Sequence, residues 1–304
     1  MQACFNMNLR EGLVKILVNF IRIVETSLPL DIVRAIEGLV NAEEGITKEI
    51  ATAMLRNIEV AKKFSVPICQ DTGVLMFFAK VGLRNSFIYF LGKSLIEAVE
   101  VATKEIPLRP NAVNPFTNVN SGINIGRYIP WIEYEVDECS DVIDLWLYIA
   151  GGGSSYAGEA KVLNPVNWRE QLINFVVEKT LKYGVNACPP LLVGIGIGPT
   201  IEIASILSKK ALLRNLGKRH EEEHIAILEN ELRDKLNSFG LGPQGLKGRV
   251  LVMDVFIEYS YRHPATCAVA ISFGCWVHRK GLLKLYPDLS YEIPTHGIER
   301  TRYD

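Results

Sequence analysis

Residues Val66 to Gly73 read V-P-I-C-Q-D-T-G, and an apolar run, Val74-Leu-Met-Phe-Phe-Ala79, follows directly. Proline fixes φ and glycine permits positive φ, so this stretch is a shaped turn and not the middle of an element. The apolar run reads as a buried strand. Cys69, Gln70 and Asp71 therefore stand on a tight turn at the mouth of a strand, a common place to build a site. Each residue has a plainer use as well. A single intracellular cysteine is usually a small buried hydrophobe, and an aspartate before a turn glycine usually serves the turn. Two later stretches repeat the theme of cysteine beside glycine or proline at a strand end, and that repetition favours a site.

Upstream of the turn, residues 9–65 read as helices. Leu13, Ile16, Leu17, Phe20, Ile23 and Val24 recur at helical spacing, Asp31 reads as an N-cap, and Thr47 precedes a helical pattern from Ile50 to Phe64. Downstream, Ser94 to Glu105 reads as a helix. A polar stretch rich in Asn, Pro and Gly follows, and long ordered loops of this kind are often functional. Arg109 is the fixed positive charge between Lys104 and Arg127, so it reads either as a bidentate holder of a carboxylate or as a surface arginine.

Trp131 to Val136 and Asp144 to Ala150 read as strands, and the second runs into Gly151-Gly-Gly-Ser-Ser155. Three glycines let a backbone approach a ligand and present successive N–H groups to an anion. That reading is preferred to a linker, because the run sits between an apolar strand and a short ordered segment. A helix from Asn167 or Trp168 to Tyr183 leads to Asn186-Ala-Cys188-Pro-Pro190 and then to Leu191-Leu-Val-Gly-Ile-Gly-Ile-Gly-Pro-Thr200. The spacing G-x-G-x-G is not the dinucleotide fingerprint, so a glycine-rich strand packed closely at a site is the better expectation. Helices at 201–213 and 221–239, a Gly-Pro-Gln-Gly loop, a strand at 249–258 and an apolar strand at 268–273 complete the pattern. His263-Pro264 precedes that last strand and Gly274-Cys275-Trp276 follows it. On residue type alone such a histidine is more often a packing residue than a catalyst. Residues 285–304 read as a short polar tail.

The expected fold is α/β: one domain over 1–304, with an N-terminal helical cap at about 1–65 followed by mixed sheets flanked by helices at about 66–285. The net charge of −1 gives no field for nucleic acid, and no apolar stretch is long enough to span a membrane. No export signal is evident, so the six cysteines are expected to be reduced thiols in a cytoplasmic protein.

Cys69, Cys188 and Cys275 share the glycine or proline setting, whereas Cys4, Cys139 and Cys267 lack it and read as structural. No C-x-x-C pair occurs, which argues against a zinc ribbon or a thioredoxin motif. Three separated thiolates suit an iron–sulfur cluster whose fourth iron has no protein ligand and can act as a Lewis acid. Asp71 would then be the acid–base partner, with His263 a second one or a hydrogen-bond donor. A non-catalytic zinc or redox-sensing cysteine protein is the rival from a different class. A dinucleotide-dependent dehydrogenase, resting on Gly194 to Gly198, is a third reading with an incomplete fingerprint.

Taken in order, V-P-I-C-Q-D-T-G, G-G-G-S, C-P-P-L-L-V-G-I-G-I-G, G-P-Q-G and the H-P…C-W run resemble the α subunit of class I, iron–sulfur-dependent hydro-lyases. These are the fumarate hydratases and the closely similar L-tartrate dehydratases. The likeness runs from about Pro67 to Arg279. It implies that Cys69, Cys188 and Cys275 ligate a [4Fe–4S] cluster with one open iron. It implies further that Gln70 and Asp71 lie beside the substrate, Asp71 being tied to proton transfer. Arg109 matches an arginine that holds a substrate carboxylate across a dimer interface, Gly152 a backbone contact to substrate, and His263 a histidine that hydrogen-bonds it. The family often has Lys before the triple glycine and Glu-Asn after the serine, where this chain has Ala150 and Ser155-Tyr156. Single-chain members continue into a second domain, so a separate β subunit is expected here, in an assembly of two α and two β. The implied reaction is hydration of a small dicarboxylate, fumarate to L-malate first and L-tartrate dehydration as the alternative.

Overall fold

The computed structural model describes residues 2–303, with side chains described from Leu9 onward. In chain order the elements are α1 (Gln2–Thr26), α2 (Leu30–Ala42), α3 (Gly45–Phe64), β1 (Val74–Gly82), α4 (Leu91–Glu105), β2 (Trp131–Asp137) and β3 (Ile143–Ala150). They continue as α5 (Gly152–Tyr156), β4 (Glu159–Leu163), α6 (Trp168–Lys182), β5 (Leu191–Gly198), α7 (Ile201–Ala211) and α8 (Glu223–Asn237). The chain ends with β6 (Val252–Tyr259), β7 (Cys267–Gly274), β8 (Lys280–Leu285), β9 (Tyr291–Ile293) and β10 (Ile298–Thr301). The α/β class holds, with helices before the first strand and mixed sheets flanked by helices. The Cys4 side chain lies outside the described residues. Among the described residues no helix is long and apolar enough to cross a membrane.

The chain forms two units. The first comprises Met1–Leu30, Asn57–Gly151 and Arg279–Asp304, and the second Asp31–Arg56 and Gly152–His278. The first is built on a six-stranded sheet in the order β10-β9-β8-β3-β1-β2. The parallel pair β1 and β2 is joined through α4, the crossover such a pair requires. The central strands β1 and β3 bury Leu75, Phe77, Ala79, Leu145 and Leu147, against which α1 brings Leu13, Leu17 and Phe20. Residues 285–304, expected as a polar tail, instead carry the end of β8 together with β9 and β10, which close one edge of this sheet by antiparallel pairing. Asp31 also differs from expectation. Helix α2 begins one residue earlier, and the Asp31 carboxylate accepts from the Ile32 and Leu216 backbone N–H groups at 3.0 and 2.8 Å.

The second unit holds a four-stranded sheet in the order β4-β7-β5-β6. Side chains of β5 alternate in direction. Leu191, Val193 and Ile195 meet an apolar cluster with Leu172, Phe175 and Val176 of α6 and Leu228, Leu232 and Leu236 of α8. Positions 194, 196 and 198 on the other face are glycines, and α7 lies against Gly194 and Gly196. A Cβ at Gly196 would come within 1.9 Å of the Ala204 carbonyl oxygen and one at Gly194 within 2.2 Å of that of Ser208. Close packing is therefore why the glycines recur, as expected, and they do not form a phosphate loop.

Candidate active site

The C-Q-D-T-G turn enters β1, and the register places Val74 opposite Ala150 at the end of β3. Gly73 (φ +69) sits against that strand end, where a Cβ would meet Ile149 Cγ2 at 2.7 Å and the Ala150 carbonyl oxygen at 2.8 Å. Only glycine fits both the backbone conformation and the space. Hydrogen bonds hold the turn along its whole length. The Ile68 N–H donates to the Glu25 carbonyl at 3.1 Å, and Asn57 Nδ2 donates to the Ile68 carbonyl at 2.9 Å. The Asp71 carboxylate accepts the Gly73 N–H at 2.9 Å, and the Gly73 carbonyl accepts from Asn111 Nδ2 at 2.8 Å. Cys69 and Asp71 are half-buried and Gln70 is exposed.

Arg109 belongs to the same neighbourhood. Its N–H donates to Thr72 Oγ1 at 3.0 Å, and its carbonyl accepts from Asn124 Nδ2 at 3.1 Å. The backbone is thus pinned to the turn while the side chain is exposed. The asparagines of the irregular stretch supply this order: the Asn111 N–H donates to Asn124 Oδ1 at 2.9 Å, and the Phe116 N–H to Asn114 Oδ1 at 2.9 Å. Short polar side chains replace the regular ladder that the backbone lacks.

Behind the turn lies a pair that sequence reading passed over. Glu25 is 0% exposed and Arg279 2% exposed. Arg279 Nη1 donates to Glu25 Oε2 at 2.7 Å, and Nη2 donates to the Asp71 carbonyl at 2.7 Å. Burial pushes the Glu25 carboxyl up to about 7, against the opposing pull of the Arg279 charge. A signal existed: Glu25 falls on the same face of α1 as Leu17 and Ile21, both buried, so an acid stands on a core stripe.

The triple glycine opens the short helix α5, with Gly152 and Gly153 exposed. In the second unit, Cys188 is exposed and left-handed (φ 57, ψ 70), a conformation that costs a non-glycine residue about 1 kcal/mol or more. The Gly-Pro-Gln-Gly loop braces this segment, since Gln244 donates to the Pro189 carbonyl from its backbone N at 3.0 Å and from Nε2 at 2.6 Å. The Trp276 N–H donates to the Cys188 carbonyl at 3.2 Å, so the segments bearing Cys188 and Cys275 are neighbours. Half-buried Cys275 points its thiol to the Val277 carbonyl at 3.4 Å. Cys267, by contrast, is buried, and burial pushes its thiol up; Cys139 lies in an exposed turn.

His263 is placed differently. It is exposed before β7, whereas Cys275 follows the same strand, so the length of β7, roughly 25 Å for eight residues, separates them. Its Nδ1 accepts the Ala265 N–H at 3.2 Å, which leaves the neutral ring its proton on Nε2. Among the described residues no three His, Cys, Asp or Glu side chains converge as a site for a single ion.

The chain is thus an α/β protein with thiol-bearing turns at strand ends and a braced carboxylate. A family model described as Fumarate hydratase (Fumerase) matches residues 14–284. The L(+)-tartrate dehydratase subunit alpha of Escherichia coli (strain UTI89 / UPEC) is 43% identical over 285 residues, 93% of this chain and 94% of that protein. The proteins of the same name from E. coli strain K12 and Shigella boydii serotype 4 match at the same identity and coverage. The chain belongs to the fumarate hydratase (Fumerase) family.

Proposed function

We propose that this chain is the alpha subunit of an iron–sulfur hydro-lyase that adds or removes water across a carbon–carbon double bond of a small dicarboxylate. Sequence motifs put fumarate first. The named relatives at 43% identity move L-tartrate ahead of it, and the family description keeps fumarate and L-malate as the second reading. The observation that carries the proposal is the donor set. Cys69, Cys188 and Cys275 are thiols exposed or half-buried at strand ends, the chemistry that iron–sulfur clusters use. A four-iron cluster holds its thiolates farther apart than a single ion does, so the lack of a single-ion site among the described residues does not conflict with it. When bound, the cluster supplies an open iron as a Lewis acid.

The chain's own residues do the rest. In the dehydration direction a base takes the C–H proton next to a carboxylate, the C–O bond breaks, and the hydroxyl leaves as water with a second proton. The Asp71 carboxylate, its rotamer held by the Gly73 N–H, moves one of these protons. Arg109, its backbone anchored on Thr72, grips a substrate carboxylate with its exposed guanidinium, and Gln70 and the Gly152 backbone bind the remaining polar groups. His263 donates from Nε2. Because it stands at the far end of β7 from Cys188 and Cys275, it serves the site of a second alpha copy, which supports a homodimer. A partner subunit completes the pocket, in keeping with the relatives' designation as subunit alpha, giving two α and two β. The five described cysteines are free thiols, which suits a cytoplasmic setting.

Turnover of L-tartrate and of L-malate by the alpha chain co-expressed with its partner tests this reading. A clear preference for L-tartrate, lost without the partner, is expected. Turnover of neither dicarboxylate by an iron-loaded assembly overturns it.

A further inference from the structure

We propose that the buried Glu25–Arg279 pair is a positioning clamp, which holds the C-Q-D-T-G turn in its working geometry. The inference rests on the reading of Asp71 as a proton-transfer residue. Glu25 grips the turn at two points. Its backbone carbonyl accepts the Ile68 N–H at 3.1 Å, just before Cys69. Its carboxylate takes Arg279 Nη1 at 2.7 Å, and the same guanidinium passes Nη2 to the Asp71 carbonyl at 2.7 Å, just after Gln70. One acid thus brackets the three residues that bear chemistry.

The clamp is rigid for physical reasons. A guanidinium is planar and presents its donors as a fixed fork, so fixing Nη1 on Glu25 fixes the direction of Nη2. The Asp71 carbonyl direction sets the peptide plane of residues 71–72, and with it the direction in which the Asp71 carboxylate leaves the backbone. Arg279 is itself anchored, because its carbonyl accepts the Ile149 N–H at 3.0 Å where β3 meets the start of β8. Both partners are buried, so water does not compete for these bonds. A lysine could place one donor but not two in a fixed fork.

A merely structural ion pair makes a different prediction. Breaking such a pair by one substitution destabilises, while replacing both partners with apolar residues of similar volume restores stability. Activity would then return with the fold. For a clamp it would not, because the Asp71 carbonyl would still lack its donor.

The test uses three variants in the iron-loaded assembly with the partner subunit: Glu25→Gln, Arg279→Lys, and the double replacement Glu25→Leu with Arg279→Met. The clamp predicts that kcat falls roughly 10- to 100-fold in all three while KM stays within about twofold, the cost of a misplaced catalytic group and not of lost binding. Amide hydrogen exchange on the alpha chain alone gives a readout independent of turnover. Exchange across Ile68 to Gly73 should quicken by about tenfold or more in each variant, with β5 and β7 unchanged. A double variant with wild-type kcat, or unchanged protection of Ile68 to Gly73 in all three, overturns the proposal. If the wild-type assembly turns over neither dicarboxylate, the hydro-lyase reading fails and the exchange result alone decides whether the clamp exists.

Discussion

The Trp276 N–H donates to the Cys188 carbonyl at 3.2 Å, which ties the turn after β7 to the turn before β5. Leu192 pairs with Gly274 in the sheet, so both thiol-bearing turns leave the same end of the same pair of strands. Two cysteine-bearing segments 87 residues apart in sequence are thereby neighbours.

Replacing Cys69, Cys188 or Cys275 by Ser should remove at least half of the reconstituted iron and reduce turnover by about a hundredfold or more, since a hydroxyl is a poor substitute for thiolate. Cys139→Ser should keep both, because Cys139 sits in an exposed turn whose N–H bonds Asp137. Iron and sulfide determination on the five proteins checks this.

His263 yields a complementation test. If it acts on substrate bound by a second copy, a one-to-one mixture of His263→Asn and Cys188→Ser chains, each inactive alone, should recover roughly one quarter of wild-type activity after reassembly, the share of sites with both intact parts. No recovery would return His263 to a role within its own copy or to none.

Much of the fold was legible, and the gaps have causes. Strands β1, β3, β5 and β7 announced themselves because each contains an apolar run buried in a sheet. Strands β9 and β10 did not: they have three and four residues, β10 is largely exposed, and only pairing to β8 and to each other makes them strands. The triple glycine read as a backbone cradle for an anion, with no helix expected, because glycine is a poor helix former, yet it opens α5. The Glu25–Arg279 pair spans 254 positions, beyond any local pattern, and only the lone acid on the core face of α1 hinted at it. The distance between His263 and Cys275 could have been foreseen, since an apolar strand was expected between them.

Gly196→Ala tests the packing of α7 on β5. A methyl group there would meet the Ala204 carbonyl oxygen at 1.9 Å and the Ser208 nitrogen at 2.5 Å, backbone atoms that cannot step aside. A loss of more than about 3 kcal/mol, or failure to fold, is expected from urea unfolding. Gly217→Ala, where nothing lies within 4 Å but φ is +79, should cost only about 1 kcal/mol.

Glu25 links stability to pH. Its folded carboxyl titrates near 7 and the ordinary value is 4.5, so the folded state holds the proton more tightly than the unfolded state. Its contribution is fully present below about pH 4.5 and is lost as pH rises through 7. The stability of the wild-type chain relative to Glu25→Gln should therefore grow, by at most about 3 kcal/mol, as pH is lowered from 7 to 4.5. Thermal unfolding of both proteins across that range checks the sign, and a difference that shrinks on acidification would reverse it.

The central claim is that Cys69, Cys188 and Cys275 together hold one iron–sulfur cluster. Anaerobic reconstitution of the alpha chain with ferrous iron and sulfide, followed by iron and sulfide counting, tests it most directly. About four irons and four sulfides per chain with broad visible absorption, abolished by any one of the three serine replacements, is the predicted result. One zinc per chain, or no metal retained by the wild-type protein, would contradict it.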